Sequence, residues 1–171
     1  GCVEACIEEA EQLGIRAWGY DENGYPSGIA GGVVTQTEEY CSSWLEFMPF
    51  SNVDNTSDRI LATYSMREGI YHLCDGEAEA DMAAILKSEI RASDVLNPDA
   101  VDLFIDLTHE VYHKAFPDKM GGAFPGFFTD EPQLKMYQLP WTKNLDILFR
   151  KTYGYDLWPV LPSLAFDQGS Y

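Results

Sequence analysis

Gly126-Phe127-Phe128-Thr129-Asp130-Glu131-Pro132 is the stretch whose reading decides the fold. A short apolar run leaves a glycine-rich link and stops at two acids and a proline, which reads as a buried strand running into a loop. The same design occurs earlier in the chain. Residues 2–13 carry apolar side chains at helical spacing, Gly14 supplies a stop, 15–20 read as a short strand, and Asp21-Glu22-Asn23-Gly24-Tyr25-Pro26-Ser27-Gly28 is dense in turn formers. Helix, glycine, strand and acidic loop make half of a repeating α/β unit. Two strands with acids at their carboxyl ends are the layout of an α/β barrel, in which the loops after the strands form the active face. A whole barrel needs about 250 residues, and the chain has 171. The expected fold is therefore α/β, a partial (β/α)8 TIM barrel over residues 1–171. The first helix has no N-cap residue, which leads us to expect a piece of a longer protein.

Between the two units the pattern changes. The aromatic-rich stretch 37–50, with Tyr40, Trp44, Phe47 and Phe50, fits a helix or a folded loop. Residues 52–58 form a polar turn. Residues 59–66 and 69–74 read as a β-hairpin, and 83–91 as a third strand, so an antiparallel insertion is expected over about 59–92. Asn97-Pro98-Asp99 begins a helix for definable reasons: asparagine caps, proline fits the first helical position, and an acid suits the dipole. Val101, Phe104, Ile105, Thr108, Tyr112 and Ala115 then share one face up to a stop near Phe116-Pro117. Residues 144–153 read as another helix ended by Gly154, and 158–162 as an irregular tail.

Twenty-eight acidic against eleven basic side chains give a net charge of −17. Such a polyanion repels phosphate backbones and anionic lipid headgroups, so neither nucleic acid nor a membrane is an expected partner. The apolar runs fall short of the roughly 18 residues of a membrane helix, and no signal-peptide layout opens the chain. Cys2, Cys6, Cys41 and Cys74 lack paired C-x-x-C spacing. They read as reduced thiols, which slightly favours a reducing, cytoplasmic compartment, with Cys2 and Cys6 as small core residues.

Glycoside hydrolysis requires one carboxyl that protonates the leaving oxygen and a second that acts as nucleophile or base. Glu131 suits the acid role, with Asp130 orienting from beside it; alternation along a strand would point the two in opposite directions. Asp21 and Glu22, with Trp18, Tyr20 and Tyr25 nearby, have the donors, acceptors and ring faces that grip sugars. The competing motif is His109-Glu110-Val111-Tyr112-His113, which has the H-E-x-x-H spacing of zinc peptidases on an expected helix. Its histidines fall on the side shared by Asp102, Asp106 and Glu110, on the order of 90° from the Ile105/Tyr112 stripe, which reads as a solvated acidic face. The expected metal set is none. No glycine loop carries a phosphate-binding lysine, the EF-hand pattern fails after Gly24, and Ser27 is not set in a nucleophile elbow.

Taken together, the segments Tyr20–Gly32, Asp94-Val95-Leu96-Asn97-Pro98-Asp99-Ala100, Thr108-His109-Glu110, Gly126–Pro132, and Tyr153-Gly154-Tyr155-Asp156-Leu157 with Leu161-Pro162 resemble, in sequence and in order, a glycoside hydrolase family related to the α-L-rhamnosidases. The resemblance covers nearly the whole chain. It implies a TIM-barrel catalytic domain of which this segment is about the third and fourth strand units. It also implies a general acid at Glu131, a sugar pocket lined by the Asp21/Glu22 loop, and a second catalytic carboxylate on a later strand, beyond Tyr171. Some members of that family are associated with calcium, and no ligand set carries over. The implied partner is an oligosaccharide or glycoside. The alternatives are a non-catalytic carbohydrate-binding fragment and the zinc peptidase. Strand edges left open in part of a barrel would favour association between copies.

Overall fold

Two segments more than a hundred residues apart lie side by side as parallel strands. In a computed structural model that describes residues 1–134 and 138–167, β1 (Gly19–Tyr20) pairs with a later strand at Phe127–Phe128, Gly19 opposite Phe127 and Tyr20 opposite Phe128. Backbone bonds from Ala17 N to Ala123 O, Gly19 N to Gly126 O and Asp21 N to Phe128 O extend the pairing on both sides. Only Gly19–Tyr20 of the expected 15–20 strand is regular.

The chain divides into two compact units, one of residues 1–41 and 90–133, the other of residues 42–89 with the described residues from 134 onward. Its elements, in order, are α1 (Cys2–Leu13), β1, β2 (Cys41–Pro49), β3 (Arg59–Arg67), β4 (Ile70–Leu73), β5 (Met82–Ser93), α2 (Pro98–Leu107), α3 (His109–Ala115), β6 (Phe127–Phe128), β7 (Leu139–Trp141), α4 (Leu145–Tyr153) and α5 (Pro162–Ala165). The architecture is mixed α/β, a small parallel sheet in the first unit and a five-stranded sheet in order β4-β3-β5-β2-β7 in the second.

In the first unit α1 ends as expected at Gly14, left-handed at φ 66°, whose N–H returns to Ala10 and Glu11. Ile7 and Ala10 make its buried stripe. Cys2 and Cys6, expected in the core, are exposed and unpaired: they sit about 110° and about 70° from the middle of that stripe. Asn97 caps α2 by accepting from Asp99 N, and its amide donates to Glu39 O. The helix expected to continue to Phe116 breaks at Thr108 (φ −119°, ψ −80°), whose hydroxyl donates back to Phe104 O at 2.6 Å. A threonine bonded to the carbonyl four residues before it bends a helix, and α3 restarts with a different rotation. Phe104, His109, Tyr112, Phe124 and Phe127 then interlock at centroid separations of 4.4–5.7 Å.

In the second unit β3 pairs antiparallel with β4 and β5 as the hairpin reading expects, and β2 pairs antiparallel with β7. The stretch expected as helix or folded loop is instead a short 3-10 turn at Glu38–Tyr40 followed by β2, with Phe50 opening a further 3-10 turn. Its aromatics at 40, 44 and 47 mimic a helical period, but the β-bonded backbone sends Leu45 into a core with Trp141, Leu157 and Leu161. The antiparallel sheet thus reaches beyond 59–92 to include β2 and β7. The tail forms part of that core and ends in α5. Tyr64, fully buried, donates to Trp158 O, and burial pushes its phenol up. No helix among the described residues is long and apolar enough to cross a membrane.

Candidate functional site

The site is built in the first unit, where the loops after β1 and β6 meet. Ser27, 1% exposed, joins them. Its hydroxyl donates to Asp21 Oδ1 at 2.6 Å and accepts from Asp130 N at 2.8 Å, while its own N–H donates to Asp130 O at 2.9 Å. Asp21 Oδ2 accepts from Thr129 Oγ1 at 2.7 Å. One serine and one aspartate therefore hold the two strand ends in register.

From that anchor two tyrosines reach the two acids. Tyr20 Oη donates to Asp130 Oδ2 at 2.8 Å and also lies 3.1 Å from Gly24 O. Tyr25 Oη donates to Glu131 Oε2 at 2.6 Å and accepts from Gln133 Nε2 at 3.3 Å. The carboxylate at Asp130 holds the Tyr20 phenol proton, pushing it up to about 12; Glu131 raises Tyr25 for the same reason. Glu131 is exposed and has φ 43°, left-handed for a non-glycine residue. That conformation costs about 1–3 kcal/mol and persists only where the surroundings impose it; here the Ser27–Asp130 bonds precede it and Pro132 comes after. Because the chain has left the strand by Asp130, the acids are separated by this turn and by their two tyrosines rather than by strand alternation.

The residues expected to bind sugar divide into two groups. Tyr25 touches Glu131. Trp18 is 62% exposed and lies on Gly126, where a Cβ would come 3.5 Å from its ring. Tyr20 and Phe128 stack beside it at 6.0 Å, so the open face of the small sheet is aromatic. Asp21, by contrast, is buried, and Glu22 serves the loop. Its Oε2 accepts from the N–H groups of Gly28, Ile29 and Ala30 at 3.2, 2.9 and 2.8 Å, and its Oε1 from Gly31 and Asn23 at 2.7 Å each. A run of successive backbone N–H groups makes an anion cradle, and Glu22 fills it from within the chain. Gly28 has φ 120°, and a Cβ there would lie 2.3 Å from Ser93 Oγ, so only glycine permits this approach.

His109 does not share a solvated face with His113. The break at Thr108 turns its ring onto Phe127 and brings Nε2 to 3.7 Å from Asp21 Oδ2. His113 stays exposed, 4.0 Å from Glu110. Among the described residues no three His, Cys, Asp or Glu side chains gather as a metal site. Behind the strand ends lies a cavity of about 400 Å³, lined mostly by apolar side chains of α2 and by Val95 and Pro132, with Asp21 and His109 at its polar end.

Sequence reasoning missed Ser27, Thr129 and the cradle formed around Glu22. One local signal was available, a glutamate with Gly28-Ile29-Ala30-Gly31 six to nine residues later. Comparison of the chain with protein-family models, curated proteins and solved structures finds no match.

Proposed function

We propose that this chain is the acid-bearing part of a (β/α)8-barrel glycoside hydrolase, covering about its third and fourth strand units, that cleaves O-glycosidic bonds with Glu131 as general acid. The observation that carries the reading is the pair of parallel strands ending together, each in an acid loop, with Glu131 exposed beside an aromatic face. Tyr25 engages Oε2 of Glu131, which leaves Oε1 as the atom that delivers a proton to the leaving oxygen. Asp130, fixed by Tyr20 and Ser27, positions the turn. Trp18 and Tyr25 pack on sugar C–H surfaces, while Asp21 and Glu22 act by building the loop that presents Tyr25. The second carboxylate is supplied by a strand outside these 171 residues, and its distance from Glu131 sets retention or inversion: about 5–5.5 Å or about 6.5–9.5 Å. The motif resemblance to the α-L-rhamnosidase-related family supports the same assignment. The isolated segment is expected to bind glycosides without turning them over.

The test is hydrolysis of a panel of aryl glycosides, α-L-rhamnoside included, by the intact hydrolase carrying this segment and by its Glu131→Gln variant. Loss of turnover in a folded variant supports the reading. A folded, unmutated protein that binds sugars and cleaves none of them supports the second reading, a carbohydrate-binding module, which the exposed rings of Trp18, Tyr20, Tyr25 and Phe128 favour.

A further inference from the structure

We propose that the cavity behind the strand ends binds a small primary ammonium with an apolar body, at a site separate from Glu131. Counting protons leaves spare acceptor capacity at its polar end, at His109 Nε2 and at the lone pair of Asp21 Oδ2 that Thr129 does not use. The Thr108 hydroxyl donates to Phe104 O at 2.6 Å, so toward His109 Nδ1, 2.9 Å away, it accepts, and Nδ1 carries the ring proton. The hydroxyl protons of Ser27 and Thr129 already go to Asp21. His109 Nε2 and the remaining lone pair of Asp21 Oδ2 then face each other at 3.7 Å, beyond direct bonding distance.

Second, the gap opens onto the cavity, since Asp21 and His109 both line it. A nitrogen about 2.8 Å from each acceptor fits across such a separation. It must bring at least two protons. A hydroxyl has one, water has two but neither a charge to match Asp21 nor an apolar body to fill the cavity, and a carboxylate or phosphate is repelled by the buried Asp21. An alkylammonium has three protons and a charge opposite to that of Asp21, and the net charge of −17 raises the local concentration of cations.

Third, beyond the polar end the walls are Val95, Val101, Phe104, Ile105 and Pro132, and about 400 Å³ lies within the size range of small-molecule sites. The ligand class is thus an amphiphilic primary amine, its head between Asp21 and His109 and its hydrocarbon along α2.

The test is an NMR titration of the full chain with n-hexylammonium, with n-hexanol and hexanoate as matched probes at fixed ionic strength. Saturable binding of the amine, with shifts at Val101, Ile105 and the His109 ring, and at least ten-fold weaker binding of the alcohol and the acid, is the expected result. Asp21→Asn should weaken the amine at least ten-fold and leave hexanol unchanged. Should that buried substitution unfold the unit, Val101→Phe, on the half-buried face of α2, fills the cavity and should abolish binding in a folded protein. Equal affinity for amine and alcohol, shifts confined to surface acids, binding unaffected by Val101→Phe, or a ¹⁵N spectrum with both His109 nitrogens protonated in the free protein would each overturn the proposal. Glu131→Gln should bind the amine as the unmodified chain does, so the hydrolase reading and this one fail separately.

Discussion

Replacing Glu22 by alanine removes the acceptor from five backbone N–H groups at once. Those of Asn23 and Gly31 are exposed and turn to water. The bonds from Gly28, Ile29 and Ala30 are partly buried, and a buried donor left without its charged partner costs about 1–3 kcal/mol. Allowing for water entering the vacated space, the total is about 3–5 kcal/mol. Because a domain of this size loses about 2–4 °C per kcal/mol, the melting transition of the first unit should fall by roughly 6–20 °C. Glu22→Gln gives a sharper comparison. Its amide oxygen can face Gly28, Ile29 and Ala30 while its NH₂ meets only the two exposed donors, so the loss should be about 1–2 kcal/mol. Thermal and urea denaturation measure both variants, and hydrogen exchange should show protection lost at residues 28–30 in Glu22→Ala. An alanine variant within about 0.5 kcal/mol of the unmodified chain, with those amides still protected, would refute the cradle as a source of stability.

The same contacts set other expectations. Ser27→Ala leaves Asp21 Oδ1 and Asp130 N without their shared partner and should cost about 2–4 kcal/mol in urea denaturation; a cost under about 0.5 kcal/mol would remove Ser27 as the tie between the strand ends. Asn97→Ala loses the cap of α2 and should cost about 0.5–2 kcal/mol by the same assay, with no loss arguing against the cap. Glu131→Gly relieves the left-handed backbone and should be no less stable than the unmodified chain in calorimetry, so a clear fall would show that the turn is unstrained. In ultraviolet titration Tyr20 should ionise with a midpoint near 12, and Asp130→Asn should bring it down. Since the folded-state value lies above the ordinary 10.0, the contribution of this bond is fully present below that pH and is lost as pH rises toward 12; early ionisation of Tyr20 would refute the Asp130 contact.

The elements legible in the sequence are those whose signals are local. The Asn97-Pro98 start of α2, the glycine stop after α1, the hairpin around residues 67–69 and the acid loops after β1 and β6 each depend on neighbours a few positions away. The features that escape a sequence reading depend on distance along the chain. Ser27 meets Asp130 at a separation of 103 residues and Asp21 meets Thr129 at 108, and no periodicity reports such pairs. Tyr40, Trp44 and Phe47 carry a helical spacing, yet cross-strand bonding places Trp44 and Phe47 in β2, with Tyr40 in the turn before it. His109 falls on the wrong face when residues 98–115 are drawn as one continuous helix, because a single threonine hydroxyl at 108 breaks the helix and rotates α3. At the site, the identity of the acids is readable, whereas the tyrosines that hold them and the loop role of Glu22 require the fold.

The proposed general acid catalysis by Glu131 is tested most directly by leaving-group dependence in the intact protein that carries this segment. For Glu131→Gln, this role predicts a fall of about 10²–10⁴-fold in kcat/KM on an alkyl glycoside, which needs protonation, and a small change on the 2,4-dinitrophenyl glycoside, which does not. Equal losses on both substrates, or none on either, would contradict it.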